Sequence, residues 1–428
     1  MSDFTMLGKD ELEGKLISLN EKYEGFRDRK LKLDMTRGRP CEEQLALSME
    51  MLAFPGSSDD CKTADGIDTR NYGLVDGIPE AKELFSRMLE VSTKEIIIGG
   101  NSSLSMMYDS IAQAMMFGVS GSTEPWSKLP KVKFLCPSPG YDRHFAITEL
   151  FGFEMIVIDM KSDGPDMDMV EKLAAEDASV KGVWCTPIYS NPDGITYSDK
   201  VVDRMASMKT AAPDFKIFWD EAYVVHHLTQ KKDKLKNILE ACKSAGNPER
   251  VFIFASSSKI TFPGSGVAVM AASEKNVAGI KKQLGIKTIC PDKINQLRHV
   301  RFLRDMDGIE AQMKKHAAIL KPKFDMVLDL LESELSDKNI ACWNKPNGGY
   351  FISFNTMPGC ASAIVKMAAD AGVSVTPAGA TYPYGKDPKD RNIRIAPTMP
   401  PVSELKTAME LLCICVQIVS IKKLLESI

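Results

Sequence analysis

A lysine that follows a short apolar run is the residue of this 428-residue chain with the clearest chemical potential. Lys259 ends the segment VFIFASSSK, so we expect it at the mouth of a sheet among small residues. Partial desolvation there would lower its pKa and favour the neutral amine that a Schiff base requires. Most lysines are solvated surface charges, so the interpretation of Lys259 depends on what else the chain supplies.

Two other polar groups follow apolar runs in the same way. Asp220 comes directly after FKIFW and has Tyr223 three residues later. A carboxylate at the end of a buried strand is costly unless it meets a positive partner, which predicts such a partner for Asp220. Asn191 lies in the turn SNPDG after VWCTP. Taken alone, Asp220 could equally well form a structural ion pair, and Asn191 could belong to an ordinary turn.

A segment suited to anions precedes all of these residues. The run EIIIGG is followed by Asn101, Ser102 and Ser103, and then by the helix-like SLSMMYDSIAQAMM. Glycines and serines at a helix N-terminus offer free backbone N–H groups and hydroxyls to a phosphate. The same residues also suit an ordinary helix cap, so both interpretations stay open at this point.

Seven short apolar runs supply the elements that must position these side chains. They alternate with polar or helix-like sequence, which is typical of a mostly parallel seven-stranded sheet in an α/β protein. The runs are EIIIGG, VKFLCP, FEMIVIDM, VKGVWCTP, FKIFWDEAY, RVFIFASSS and GVAVMAAS. We expect a large domain over residues 61–305 and a smaller α+β domain formed from both chain ends, residues 1–60 and 306–428. The smaller domain should contain one late strand pair, GGYFISF with NIRIAP.

Composition argues against several classes of protein. The chain is 44% hydrophobic and 26% charged, and its net charge of −3 with no basic stripe argues against a nucleic-acid partner. The ten cysteines have no metal-binding spacing, so we expect reduced thiols and no metal. The N-terminus lacks the features of a signal peptide, which predicts a cytoplasmic protein. The apolar stretch 411–421 is too short to span a membrane and predicts a buried C-terminal helix.

The order of an anion cradle, an asparagine turn, a strand-end aspartate and SSSK resembles the fold type I pyridoxal-phosphate-dependent aminotransferases. The resemblance runs from about residue 34 to residue 397. It implies pyridoxal 5′-phosphate as the cofactor, with Lys259 holding it as a Schiff base and moving the substrate proton. It also implies that Asp220 keeps the pyridine nitrogen protonated. Asn191 and Tyr223 would bond the cofactor's phenolic oxygen, with Asn191 also near the substrate.

Further cofactor contacts are implied by the same resemblance. The phosphate is expected at the helix N-terminus and at a serine three residues before the lysine, which gives Gly100, Asn101, Ser102, Ser103 and Ser256. Tyr141 in SPGYDRHF matches the aromatic residue that stacks on the pyridine. Tyr72 in NYGLVDG matches a tyrosine that reaches the phosphate of the neighbouring subunit's cofactor, which implies a homodimer.

The resemblance also implies residues for the substrate. Arg394 in NIRIAP matches the arginine that grips the α-carboxylate, and Gly38 in MTRGRP matches a glycine whose backbone lies beside it. A distal carboxylate would need a second cation. Arg143, two residues after Tyr141, is the preferred candidate. Its competitor is Arg298 in KINQLRHVRF, where relatives contribute an arginine from the other subunit.

One position departs from the common pattern. After SSSKITFPG the family usually has an arginine on the phosphate, whereas Ser265 and Gly266 follow here. Together with TRGRP and GGNSSL, this departure resembles the divergent bacterial subgroup of aspartate aminotransferases. That subgroup implies aspartate or glutamate as amino donors and oxaloacetate or 2-oxoglutarate as acceptors.

Two other functions are weighed against this one. The first is another pyridoxal-phosphate enzyme on the same fold, such as a decarboxylase, an aromatic or aminoadipate-type transaminase, or a carbon–sulfur β-lyase. Because fold does not determine reaction, this alternative stays open. The second is the sensor domain of a transcription regulator. Such a regulator needs a DNA-binding module on the N-terminal side of its sensor domain. Only 35 residues precede TRGRP, so this alternative is disfavoured.

Overall fold

The computed structural model describes residues 3–428 as an α/β protein with a large central sheet. Its helices are α1 (Lys9–Asp28), α2 (Glu42–Ala46), α3 (Pro79–Leu89), α4 (Ser103–Phe117), α5 (Asp142–Leu150), α6 (Met167–Glu176), α7 (Asp199–Ser207), α8 (Ile238–Ser244), α9 (Glu274–Lys287), α10 (Lys293–Leu303), α11 (Met306–Leu335), α12 (Ala361–Asp370) and α13 (Val402–Glu426). Its strands are β1 (Leu33–Met35), β2 (Ile96–Ile98), β3 (Lys133–Ser138), β4 (Glu154–Lys161), β5 (Gly164–Pro165), β6 (Val180–Cys185), β7 (Lys216–Asp220), β8 (Val251–Ser256), β9 (Ala268–Ala271), β10 (Ala341–Trp343), β11 (Ile352–Thr356), β12 (Val373–Val375) and β13 (Asn392–Ile395).

The central sheet contains all seven strands predicted from the apolar runs. Its order is β2-β9-β8-β7-β6-β3-β4-β5. The pairs from β8 through β7, β6 and β3 to β4 are parallel, whereas β9 runs antiparallel to both of its neighbours. The prediction missed an eighth strand, β5, which pairs antiparallel with β4 at the edge. With only the residues Gly164 and Pro165, β5 is too short to produce an apolar pattern.

Alternate residues of the strands pack into two different apolar clusters, one on each face of the sheet. Ile217 and Trp219 of β7 belong to one cluster, and Phe218 between them belongs to the other. Successive side chains of a strand point to opposite faces, so a sheet that is covered on both sides requires an unbroken apolar run. This requirement explains why the runs, rather than an alternating pattern, mark the strands in the sequence.

Charged residues at the amino ends of two strands are satisfied within the protein. Lys216 is buried, and its Nζ donates to the backbone carbonyls of Ser120 and Glu249 at 2.9 and 2.8 Å. Lys181 at the start of β6 donates to Asp214 Oδ1 at 2.6 Å. The other oxygen of Asp214 accepts from Trp126 Nε1 and from a serine hydroxyl, both at 2.8 Å. Asp214 therefore ties the start of the sheet to the segment before β3.

A third apolar cluster combines residues from both chain ends. It contains Leu12 and Leu19 of α1 together with the apolar face of α13, and α1 packs on α13. Nearby, β1 pairs in parallel with β12, and β10, β11 and β13 form an antiparallel sheet. The predicted late strand pair is confirmed, since Ser353 of β11 lies opposite Arg394 of β13. The domain limits at residues 60 and 305 stay predictions.

The C-terminal apolar stretch lies in α13, as predicted, with buried side chains between Leu405 and Ile421. Within residues 3–428, no helix is long and apolar enough to cross a membrane.

We predict that Asp214→Asn lowers the free energy of unfolding by about 3 kcal/mol, because it leaves the buried Lys181 without a counter-charge. Burial alone would raise the pKa of Asp214, but hydrogen bonds from Lys181, Ser122 and Trp126 lower it. The stabilisation should therefore be complete above the ordinary aspartate pKa and be lost as the pH falls through the lowered value. Urea unfolding followed by tryptophan fluorescence measures the difference at several pH values.

The matched control is Asp329→Asn, which changes an exposed aspartate on α11. Its unfolding curve should overlay that of the unmodified protein. Equal midpoints for the two variants would contradict a stabilising role for the Asp214 cluster.

Candidate active site

A cavity of about 220 Å³ lies at the carboxyl ends of β6, β7 and β8. Most of the side chains predicted to do chemistry meet there. The predicted residues that line it are Gly38, Ser102, Ser103, Tyr141, Asn191, Asp220, Tyr223, Ser256 and Lys259. A larger groove, of about 1020 Å³, contains none of the predicted residues. The smaller cavity is therefore the candidate active site.

Lys259 follows the end of β8 and faces this cavity. Its Nζ lies 4.9 Å from the centre of the Tyr223 ring. Enclosure by protein lowers the pKa of the amine, and the charge of Asp220 offsets only part of that shift. The backbone beyond the lysine is fixed, because Thr261 Oγ1 lies 2.9 Å from Nε2 of the buried His299. The geometry thus supplies an enclosed amine that loses its proton more readily than a surface lysine does.

Asp220 ends β7 and is only 4% exposed. Its Oδ2 lies 3.0 Å from His144 Nε2, and the His144 ring stacks on Trp184 with centroids 4.5 Å apart and planes 10° apart. The second oxygen, Oδ1, is buried and has no hydrogen-bond partner within residues 3–428. A buried carboxylate oxygen without a donor is costly, so this site is built for a donor that the chain itself does not provide. A protonated pyridine nitrogen has the required chemistry.

The N-terminus of α4 forms another wall of the cavity. Ser102 is the N-cap residue, with φ −135° and ψ 120°, and its side chain makes no capping hydrogen bond. The first turn of α4 contains no acidic residue. Its backbone N–H groups and the hydroxyls of Ser102, Ser103 and Ser256 are therefore available to an anion in the cavity.

Gly100 and Asn101 lie next to this wall but do not line the cavity. The Gly100 carbonyl accepts from the backbone N–H of Ala268 at 2.8 Å. Asn101 Nδ2 donates to the Gly264 carbonyl at 3.3 Å, and Ser258 Oγ donates to the Asn101 carbonyl at 3.3 Å. These two predicted residues thus tie the α4 loop to the segment that carries Lys259.

The segment after Lys259 contains no cation, as the sequence indicated. Ser265 and Gly266 are held by Asn295 of α10, whose Nδ2 donates to their carbonyls at 3.1 and 3.0 Å. Within residues 3–428, Lys259 is the only lysine or arginine that lines the cavity. An anion bound there would depend on the α4 N-terminus, on hydroxyls and on groups from outside this chain.

Arg394 lies behind two residues of the cavity wall. The Arg394 side chain is 6% exposed. Its Nη1 donates to Asn191 Oδ1 at 3.2 Å, and its guanidinium lies 4.8 Å from the centre of the Phe351 ring. Gly38 faces the same ring, and a Cβ at this position would come within 2.5 Å of Phe351 Cζ. Only glycine therefore fits beside Phe351, which explains the glycine in TRGRP.

The aromatic and phenolic groups remain neutral in this setting. Burial raises the pKa of Tyr141 to about 12 and raises the pKa of Tyr223 well above its ordinary value. Both hydroxyls are consequently hydrogen-bond donors at neutral pH. Tyr141 immediately precedes α5, whose third residue is His144, and its ring meets the His144 ring edge-on at 4.9 Å.

Three predicted residues are not brought to the cavity of a single chain. Tyr72 is 75% exposed, and Arg143 is exposed on α5. Arg298 Nε donates to the Phe54 carbonyl at 2.9 Å instead. Their assigned roles stay predictions, and two of them, those of Tyr72 and Arg298, involve a second subunit.

Sequence reasoning missed two residues that shape the site. His144 lies three positions after Tyr141, and this spacing puts both residues on one side of a helical turn. Its contact with Asp220 joins residues 76 positions apart, so no local pattern signals it. Phe351 belongs to the predicted strand GGYFISF, but its place against Gly38 and Arg394 depends on the packing of β1 and β13 segments.

Comparisons with known proteins identify the family of this chain. The sequence model of the family described as "Aspartate amino-transferase" matches residues 7–427. A putative aminotransferase of Mycolicibacterium smegmatis is 47% identical, over 99% of each chain. An aspartate aminotransferase of Corynebacterium glutamicum is 46% identical, over 93% of this chain and 92% of that protein. A crystal structure of an aspartate transaminase from C. glutamicum superposes with a TM-score of 0.97 at 43% identity and 99% coverage of both chains.

The family match covers nearly the whole chain, and the residues of the cavity fit the cofactor of such enzymes. The unpartnered Asp220 oxygen could accept from a protonated ring nitrogen, the α4 N-terminus could hold a phosphate, and the Lys259 amine could react with the aldehyde of pyridoxal phosphate. The chain belongs to the aspartate aminotransferase family and is an aminotransferase that uses pyridoxal 5′-phosphate.

Proposed function

We propose that this protein transfers the amino group of an acidic L-amino acid, aspartate or glutamate, to a 2-oxoacid, 2-oxoglutarate or oxaloacetate. The observation that carries the proposal is the convergence of Lys259, Asp220 and the α4 N-terminus on one cavity, with Arg394 directly behind its wall. The choice of an acidic donor is supported by the 46% identical relative, which is named an aspartate aminotransferase.

In this proposal, Lys259 holds the cofactor and then moves a proton at the substrate Cα. When bound, pyridoxal phosphate supplies the electron sink that makes this proton acidic. The lowered pKa of Lys259 favours the unprotonated amine that can take the proton up. Its Nζ lies 4.9 Å from the centre of the Tyr223 ring, which also lines the cavity.

Through its free oxygen, Asp220 would accept a hydrogen bond from the ring nitrogen and so favour the protonated form of that nitrogen. His144 bonds the other oxygen and is itself held by stacking on Trp184, so the carboxylate keeps one orientation. Tyr223 and Asn191 would donate hydrogen bonds to the phenolic oxygen, and Tyr141 would lie against the pyridine ring. The high pKa of the Tyr223 phenol suits it to this task, because it stays a donor.

The phosphate would be bound by Ser102, Ser103, Ser256 and the α4 N-terminus, with Gly100 and Asn101 shaping the loop. Tyr72 of a partner subunit would complete the site, so we propose that the enzyme works as a homodimer. The 75% exposure of Tyr72 within one chain leaves it free for this contact. We also propose a cytoplasmic location; the free cysteines of residues 3–428 suit a reducing compartment.

Arg394 would bind the substrate α-carboxylate beside Gly38. For the distal carboxylate, Arg143 remains the first candidate because it follows Tyr141 on α5 and has no ion-pair partner within residues 3–428. Arg298, supplied by a partner subunit, is the competitor. Variants of these two arginines test which of them selects acidic amino donors.

Donor profiling tests the proposed reaction. With 2-oxoglutarate as acceptor, kcat/KM should be highest for aspartate and lower by about 100-fold or more for alanine or leucine, since the distal carboxylate gains a charge-assisted bond. Lys259→Ala should give no turnover with any donor. A profile led by an aromatic donor or by 2-aminoadipate, or release of pyruvate and sulfide from cysteine, would contradict the proposal in favour of the alternative activities.

The paired variants Arg143→Leu and Arg298→Leu identify the side-chain contact. We predict that Arg143→Leu raises the KM for aspartate by about 10-fold or more and changes the KM for alanine little, because only aspartate has a distal carboxylate. Arg298→Leu serves as the matched control and should leave both KM values close to those of the unmodified enzyme. The reverse result would assign the role to Arg298, and equal losses for both donors would indicate a structural role for Arg143.

A further inference from the structure

The guanidinium of Arg394 is already engaged by groups of its own chain. Its Nη1 donates to Asp142 Oδ1 at 3.0 Å as well as to Asn191 Oδ1, and its Nε donates to Thr376 Oγ1 at 3.4 Å. Within residues 3–428, no group accepts a hydrogen bond from the remaining nitrogen, Nη2. The arginine is therefore paired on one side and free on another.

Asp142 is the only carboxylate within residues 3–428 that forms an ion pair with Arg394. It is the first residue of α5 and directly follows Tyr141, which lines the cavity. Its side chain is 36% exposed, whereas that of Arg394 is 6% exposed. Asp142 is thus the more exposed member of the ion pair, and neither Asp142 nor Arg394 lines the cavity.

An aspartate carboxylate and a substrate α-carboxylate are the same chemical group and seek the same donors. Two carboxylates on one Nη1 would repel each other in this enclosed setting. Without any carboxylate, however, a nearly buried guanidinium would lack a counter-charge. The ion pair with Asp142 satisfies the arginine when no substrate is present.

We propose that Asp142 competes with the substrate α-carboxylate for Nη1 of Arg394, because a carboxylate that bonds both Nη1 and Nη2 would displace Asp142. This inference rests on the proposed role of Arg394 in substrate binding. It makes Asp142 a determinant of affinity rather than of chemistry. Because all amino-acid and 2-oxoacid substrates share the α-carboxylate, the effect of Asp142 is the same for acidic and apolar donors, unlike the effect proposed for Arg143.

The test is the holoenzyme with Asp142→Asn, which removes the charge and keeps the size and one acceptor oxygen. We expect KM for aspartate and for alanine, and Kd for the unreactive dicarboxylate succinate, to fall together by about three- to tenfold. The kcat for aspartate should change little, since Asp142 does not touch the reacting atoms. Glu149→Gln, an exposed acid later on the same helix, is the matched control and should change none of these constants.

The companion variant Arg394→Leu separates the two proposals. If it abolishes succinate binding while Asp142→Asn leaves Kd and KM unchanged or higher, Asp142 orients the arginine and the competition proposal is wrong. A fall in KM for aspartate without one for alanine would also overturn it, because Asp142 would then act on the distal carboxylate. Unchanged succinate binding in Arg394→Leu would instead remove the role of Arg394 itself.

Discussion

The arrangement of the active site depends on one buried carboxylate with a free oxygen. Asp220 is 4% exposed, one of its oxygens lies against His144, and the other has no partner within residues 3–428. Leaving such a group unsatisfied costs several kcal/mol, so a protein keeps it only where a ligand completes it. The fold positions Asp220 at the end of β7, orients it through His144 of α5 and Trp184, and places Lys259 on the same cavity after β8.

Few positively charged groups lie near this carboxylate, and they differ in how accessible they are to a ligand. Lys259 is the single cation that lines the cavity within residues 3–428, and enclosure lowers its pKa. The α4 N-terminus offers partial positive charge without a mobile side chain. Arg394 carries a full charge, but Asp142 and Asn191 cover it. In the proposed competition, a substrate α-carboxylate would displace Asp142 from Nη1 of Arg394.

The parts of the fold that long apolar runs determine could be predicted from the sequence. All seven predicted strands are present because a sheet covered on both faces needs such runs, as in β7. The two-residue strand β5 and the pairing of β1 with β12 could not be predicted. Short strands lack a detectable period, and β1 and β12 meet across more than three hundred residues of chain.

The residues and contacts of the candidate site also differ in whether the sequence could predict them. Residues at strand ends, such as Asp220 and Ser256, could be predicted because parallel strands bring their carboxyl ends to one edge. The contacts of His144 with Asp220 and of Asp142 with Arg394 could not, since each joins distant segments through packing alone. Tyr72, Arg143 and Arg298 do not line the cavity of one chain. A sequence pattern predicts which residue type stands at these positions, but it does not predict which groups these residues contact.

The role of Asp220 is tested most directly by the kcat of the Asp220→Asn holoenzyme with aspartate and 2-oxoglutarate. The adjacent variant Glu221→Gln is the control, since Glu221 is also buried, does not line the cavity and has a pKa raised by burial to about 8. We predict that kcat falls by about 100-fold or more for Asp220→Asn, because the charge that would hold a proton at the ring nitrogen is lost. The kcat of Glu221→Gln should stay close to that of the unmodified enzyme. An unchanged kcat in the folded, cofactor-loaded Asp220→Asn enzyme would contradict the proposed role of Asp220.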